Sequence, residues 1–211
     1  MPHVLIGGAA RCGKSTLSRE IRRSTDLQTI SGDAFRTTLR KTVARGIFPI
    51  LHAPRAEKIP DEQDFINHHA ANAAVEIEAK RAQAKFVWPF IERYIQEVEH
   101  ESEDGVLVES IDVWPDLIAT SGLIHRAAFL VDTSADSQAE RIIASRDNDP
   151  YDWMHQNNYS DGRIKAWSEF NAQRSVMIRD MADEEGYLCV DLAETPFAEG
   201  QLIAKTHLLE S

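Results

Sequence analysis

Residues 8 to 15, Gly-Ala-Ala-Arg-Cys-Gly-Lys-Ser, constrain this chain more than any other stretch. Four residues separate Gly8 from Gly13, and Gly13 is followed at once by Lys14 and Ser15. A short apolar run, residues 3 to 8, precedes them, and a helical pattern carrying Leu17 and Ile21 comes after. Strand, glycine-rich loop and helix in that order make a phosphate-binding loop. The glycines let the backbone curl so that successive N–H groups point at phosphate oxygens, and the helix N-terminus adds its dipole. Gly8, Ala10, Arg11, Cys12, Gly13, Lys14, Ser15 and Thr16 are therefore the expected ATP-binding set. Lys14 is placed to reach the β and γ phosphates, and Ser15 to supply a magnesium ligand.

The rest of the chain alternates strand-like and helix-like patterns. Val106 to Ser110 and Ala127 to Asp132 are compact apolar runs, fit for central parallel strands, and Leu27 to Ser31 and Tyr187 to Asp191 read as two further strands. Helical patterns cover Asp33 to Val43, Ser134 to Arg146 and Gly162 to Glu185. From Asp61 to Glu103 a further helical seam runs through Ile66, Ala70, Ala73, Ile77, Ala84, Val87, Ile91, Tyr94 and Val98. Lys80 interrupts that seam, and Pro89 is expected to kink it or split it in two. Residues 46 to 60, with three prolines, and 147 to 161 read as loops. The expected fold is α/β: a doubly wound five-stranded parallel sheet in the order 2-3-1-4-5. It forms one domain over 1–211, with a helical acceptor-side insertion at about 46–103 and a lid at about 147–165.

Composition narrows the function classes. With 211 residues, 43% hydrophobic, the chain can bury roughly 70% of its unfolded surface as a single domain. The formal charge of −11 repels a nucleic-acid backbone, so no polynucleotide partner is expected. The local cluster Arg19, Arg22 and Arg23 reads more simply as a solvated helix face. Apolar runs fall far short of the ~20 residues of a membrane span and no leader pattern is visible, so no membrane association and a cytoplasmic location are expected. Cys12 and Cys189 are expected as reduced thiols.

Several charged residues are expected at the carboxyl ends of the strands, where open parallel sheets bind ligands. Asp33, just after the second strand, could take a proton from an attacking hydroxyl or hold magnesium through water, and could instead cap the next helix. Arg36, one turn on, could clamp an anionic acceptor. Glu109 closes the third strand, where magnesium-bound water or the acceptor would lie, and Asp112 is a weaker candidate. Arg141, Arg146, Arg163 and Lys165 flank the expected lid, where cations would offset charge on a transferring phosphoryl group. His68-His69 has no partner at metal-ligand spacing in the sequence, and no structural metal is expected.

Over residues 3 to about 191 these features resemble the adenylate-kinase-like P-loop kinases. Glu140 to Arg146 is similar to their segment leading into the lid, where one arginine packs on adenine and the next touches phosphates; the spacing here is one residue longer. Asp33 to Arg36 looks like the region after strand two in zeta-toxin-like and chloramphenicol-phosphotransferase-like kinases, whose aspartate acts as base toward an acceptor hydroxyl. Val106 to Pro115 is similar to a strand of the P-loop phosphoglycerate kinases, with Ser110 where those usually have glycine. The resemblance implies an ATP- and magnesium-dependent phosphotransferase acting on a small-molecule acceptor. Lys14, Asp33, Arg146 and Arg163 would then be catalytic, Arg141 would bind ATP, and Asp33, Arg36 and Glu109 would meet the acceptor. The alternative is a nucleotide-dependent switch, or an ATPase, acting through a protein partner. No Asn-Lys-x-Asp motif points to guanine.

Overall fold

The computed structural model describes residues 2–52, 56–101, 105–146 and 152–210. Five strands, β1 (His3–Gly8), β2 (Gln28–Ser31), β3 (Val106–Glu109), β4 (His125–Val131) and β5 (Leu188–Asp191), pair in the order β2-β3-β1-β4-β5. All four pairings are parallel, as the sequence pattern predicts. Leu5 lies opposite both Val108 and Ala127, so β1 is enclosed on both edges, and all its residues are buried.

Side chains alternate between the two faces of the sheet. Val4, Ile6, Leu107 and Leu130 pack with Leu17 and Ile21 of α1 (Lys14–Ser24) and Ala204 and Leu208 of α8 (Phe197–Leu209). Leu5, Val108 and Phe129 belong to the opposite core. That core is filled from α3 (Glu62–Glu101) by Ile77, Trp88 and Ile91, from α7 (Asp161–Glu185) by Phe170 and Ile178, and by Trp114, just before α4 (Pro115–Ala119). A third cluster lies beyond the sheet. There Phe65 meets Ile142 of α5 (Ala135–Arg146), Met154 of the short α6 (Trp153–Gln156), Tyr159 and Trp167. Finally, α2 (Gly32–Thr42) follows β2 directly. The connection leaving β1 runs to β2 on one side, and the connection leaving β3 runs to β4 on the other. The carboxyl ends of β1 and β3 therefore border a switch point, the crevice where such sheets take ligands.

Three expectations need correction. Of the two outcomes expected at Pro89, the split does not occur: α3 is one element of 40 residues, roughly 60 Å long. Pro89 and Lys85 are both exposed, so the carbonyl of Lys85, which loses its N–H donor to the proline ring, can turn to water, while buried Trp88 and Ile91 hold the helix on the sheet. Pro89→Ala should restore that donor and raise stability by roughly 1–3 kcal/mol. A denaturant-unfolding midpoint unchanged or lowered by the substitution would contradict this account. The seam is also displaced: Ala70 is exposed and Tyr94 is 45% exposed, while His69 and Ile95 are buried instead. Lastly, the expected loop 147–161 contains α6, and Pro49–His52 and Ala56–Lys58 form short 3-10 turns within the other expected loop. Residues 147–151 of the expected lid lie outside the described residues. No helix among the described residues is long and apolar enough to cross a membrane.

Candidate nucleotide and acceptor site

Two glycines shape the loop between β1 and α1. Gly8 has φ of 117°, and a Cβ there would stand 2.0 Å from the carbonyl oxygen of Leu130. Gly13 has φ of 85°, and its Cβ would stand 2.6 Å from the ring of Phe197. Only glycine meets both demands without strain. Arg11, between them, has φ of 64°. Beneath the loop the Cys12 thiol is buried and donates to the Ala10 carbonyl at 3.5 Å; burial pushes its pKa up to about 12, so it is an inert filler rather than a nucleophile.

Lys14 opens α1 at only 6% exposure, with Nζ donating to the Ala9 carbonyl at 2.6 Å. Burial lowers its pKa, and the negative charges of Asp33 and Glu109 work against that shift. Ser15 Oγ donates to Glu109 Oε2 at 3.2 Å, so the two oxygens named as magnesium ligands lie side by side. A hydroxyl and a carboxylate are the hard oxygen donors that this cation takes, so the residues present fit it. Burial raises the pKa of Glu109, with Lys14 opposing.

A cavity of about 480 Å³ runs from the loop toward α5 and α8, lined by Arg11, Lys14, Ser15, Thr16, Arg141 and Phe197 among others. Arg141 donates to Asp132 Oδ2 at 2.7 Å and to the Arg11 carbonyl at 3.4 Å. Arg11 forms an ion pair with the buried Asp152, which also caps α6 by accepting from Met154 N at 2.7 Å. Phe197, at the start of α8, lies over Gly13 and leaves 40% of itself exposed. A guanidinium and an aromatic ring around one cavity suit a planar heterocyclic base.

On the other side of the strand ends, Asp33 and Arg36 project from α2 and meet the turn after β3. Arg36 donates to Asp112 Oδ1 at 2.7 Å and to Asp33 Oδ1 at 3.3 Å. Ser110 Oγ lies 3.2 Å from Asp33 Oδ1 and 3.3 Å from Asp112 Oδ2, and accepts from Asp112 N at 3.0 Å. Burial raises the pKa of Asp112, whose side chain is 2% exposed, and Arg36 pulls it back down. Asp33 is not the helix cap: Ser31 Oγ accepts from Ala34 N, and Asp33 sits in the first turn with its side chain 45% exposed.

Arg146 and Arg163 stand apart from the 480 Å³ cavity. Arg146 donates to the Tyr159 carbonyl at 2.8 Å and to Asp161 at 3.0 Å. Arg163 donates to the carbonyls of Ile59 and Pro60, and its guanidinium lies 4.9 Å from the centre of the Phe65 ring. Each is engaged with backbone near the edge of the third cluster, and neither faces the phosphate loop in this state.

Several residues at the site escaped the sequence reading. From α7, Asn171 donates to the Ala10 carbonyl at 2.9 Å, Arg174 to the Ile111 carbonyl at 2.7 Å, and Ser175 Oγ accepts from Asp132 N at 3.2 Å. One helix thus touches the chain just beyond three strands. Arg174 is 3% exposed, stacks at 5.3 Å on Trp114, and keeps Nε without a hydrogen-bond partner among the described residues. Burial lowers its pKa to about 10, with Asp112 opposing. The strand-end rule that selects Glu109 would also have selected Asp132, directly after β4. Polar residues at i, i+3 and i+4 inside an otherwise buried helix were the available signal for Asn171, Arg174 and Ser175. Phe197 carried none.

No protein-family profile and no curated protein sequence matches this chain. Among solved structures it is similar to a protein from Chloroflexus aurantiacus taken to be a kinase, at 15% identity and a TM-score of 0.47, covering 98% of this chain and 96% of that one. It is also similar to dephospho-CoA kinase from Campylobacter jejuni, at 15% identity and a TM-score of 0.42, covering 95% and 94%.

Proposed function

We propose that this protein is a phosphotransferase, moving the γ-phosphoryl group of ATP to a hydroxyl of a small-molecule acceptor. The observation that carries this reading is the presence of two carboxylates with different surroundings at the strand ends: Glu109 accepts from Ser15 Oγ at 3.2 Å, while Asp33, held by Ser110 and Arg36, keeps its side chain 45% exposed. One carboxylate, Glu109, suffices to hold magnesium for nucleotide binding; a second, exposed one is what a transfer site needs to orient the acceptor and take its proton.

The loop N–H groups and Lys14 would hold the β and γ phosphates, while Arg141 and Phe197 hold the base. Ser15 Oγ and Glu109, the latter directly or through water, would hold magnesium, which would supply positive charge to those phosphates. Asp33 orients the acceptor hydroxyl. As the acceptor oxygen forms its bond to the γ-phosphorus, the bond from that phosphorus to the β–γ bridging oxygen breaks, its electron pair stays on ADP, and the hydroxyl proton passes to Asp33. Arg174, buried with its charge acting on Lys14, Asp33 and Asp112, would add positive potential to the site without touching the transferred group. Arg146 and Arg163 could join it only by leaving their present carbonyl partners.

Incubation with γ-labelled ATP, magnesium and pooled metabolites should give an acid-stable labelled product. Label released only to water, at a rate set by an added protein, would point to a switch instead. Within this reading Arg141→Ala and Phe197→Ala should each weaken ATP binding by roughly tenfold, since each removes one side of the base site. Calorimetric ATP dissociation constants equal to wild type in both variants would place the base elsewhere.

A further inference from the structure

We infer that the acceptor is an uncharged or cationic hydroxyl compound, recognised as a hydrogen-bond donor by Asp33, and not a phosphorylated or carboxylated one. The inference rests on the phosphotransferase reading and concerns the acceptor side of that same site.

The first argument is charge already spent. Arg36 is the cation an anionic acceptor would need, and it is paired with both Asp112 and Asp33. To release it toward an acceptor anion would leave the Asp112 carboxylate, 2% exposed, without its ion-pair partner. Breaking a buried pair from one side is the costly way to break it, because the remaining charge cannot reach water and keeps only the buried Arg174 as a nearby cation. Arg174 cannot take over the task. It is 3% exposed, buried against Trp114 and the Ile111 carbonyl, and the carboxylates whose charges act on it are Asp112 and Asp33, the same ones that Arg36 pairs with.

The second argument concerns hydrogen-bond capacity. Ser110 has one hydroxyl proton, and Asp33 Oδ1 and Asp112 Oδ2 both stand within reach of it. What remains open on this side are carboxylate oxygens: Oδ2 of Asp33 and Oε1 of Glu109 take no hydrogen bond from the described residues. Ionised carboxylates only accept. They are complementary to O–H or N–H groups and repel another anion, the more so once the phosphates of ATP are in place. Asp33, Glu109 and Asp112 thus outnumber Arg36 and Arg174, in a chain whose formal charge is −11. Arg19 and Arg22, which line a groove of about 160 Å³ with Ser15 and Glu109 on the α1 side of the sheet, are the cations that an exception would use.

Two measurements decide the matter. A small-molecule cell extract is separated on an anion exchanger, and each fraction is incubated with γ-labelled ATP and magnesium. Acid-stable product should form from the unretained fraction and exceed that from the retained one by about tenfold or more. Product formed mainly from the retained fraction overturns the inference and leaves the kinase reading standing. No acid-stable product from either fraction, in wild type or Lys14→Ala, removes both. Independently of turnover, calorimetry with ribose 5-phosphate is run on protein saturated with magnesium and a non-hydrolysable ATP analogue. Wild type should show no saturation up to about 10 mM, whereas Asp112→Asn, which frees Arg36, should gain affinity by at least about tenfold. Saturable binding to wild type, lost in Arg36→Ala or in Arg19→Ala/Arg22→Ala, overturns the proposal, and so does a failure of Asp112→Asn to gain affinity while its thermal midpoint is unchanged.

Discussion

Asp33→Asn is expected to lower transfer to the acceptor by roughly 10²- to 10⁴-fold, the usual contribution of a positioned general base. ATP affinity and the thermal midpoint should stay close to wild type. The amide keeps the size of the carboxylate and can still accept from Arg36 and Ser110 through its oxygen, but it cannot take a proton at neutral pH. A structural explanation for Asp33 is weak because Ser31 already caps α2, and because the Asp33 side chain is nearly half exposed. The measurement is steady-state turnover beside ATP calorimetry and thermal unfolding of both proteins. Unchanged turnover would take Asp33 out of the mechanism and leave Glu109, next to Ser15, as the carboxylate to test.

Lys14→Ala is expected to reduce turnover by at least ~100-fold, the scale of loss when a fixed charge facing developing negative charge is removed. Lys14 is held for that role: its stem is buried at the start of α1 and its ammonium group is tethered to the Ala9 carbonyl, so little reorganisation is required when phosphate arrives. Burial already disfavours its charged form, which makes an incoming phosphate oxygen a better partner than the carbonyl it leaves. Because alanine leaves a void, Lys14→Met is the companion variant; it keeps the volume, loses the charge, and should be equally inactive. Turnover that survived in both would mean that residues 8 to 15 do not handle the reacting phosphates.

The strand order, the phosphate loop and the carboxylate after β2 were legible because each depends on a local pattern. A short apolar run bounded by turn signals can only be a buried strand or part of a helix, and its length and the alternation with longer helical patterns favour the strand. The rule about strand ends placed Glu109 at the ligand edge of the sheet, and the fold then sets it beside Ser15, 94 residues away. The same approach failed at Pro89. Proline chemistry is local, yet its cost depends on whether the orphaned carbonyl faces water, and that is set by how α3 lies on the sheet. The shift of the seam from Tyr94 to Ile95 has the same origin, since a helix of 40 residues drifts relative to any fixed spacing as it follows a twisted sheet.

By itself the sequence determined the α/β architecture, the β2-β3-β1-β4-β5 order and the placement of Lys14, Ser15, Asp33 and Glu109 at one edge of the sheet, since periodicity, glycine positions and the handedness of crossovers are properties of short segments. Only the tertiary structure decided which charges are already spent. Arg36 reads from sequence as a free clamp for an anion, and becomes a paired group because Asp112, 76 residues away, is buried beside it. Arg141 is likewise committed to Asp132, Arg11 to Asp152, and Arg163 to the carbonyls of Ile59 and Pro60. Arg174 joins the site from α7, where the polar spacing it shares with Asn171 and Ser175 does not say which strand end it meets. Electrostatic interactions fall off with distance and depend on burial, so their partners are fixed by the folded arrangement of elements far apart in the chain, which no spacing along the sequence encodes.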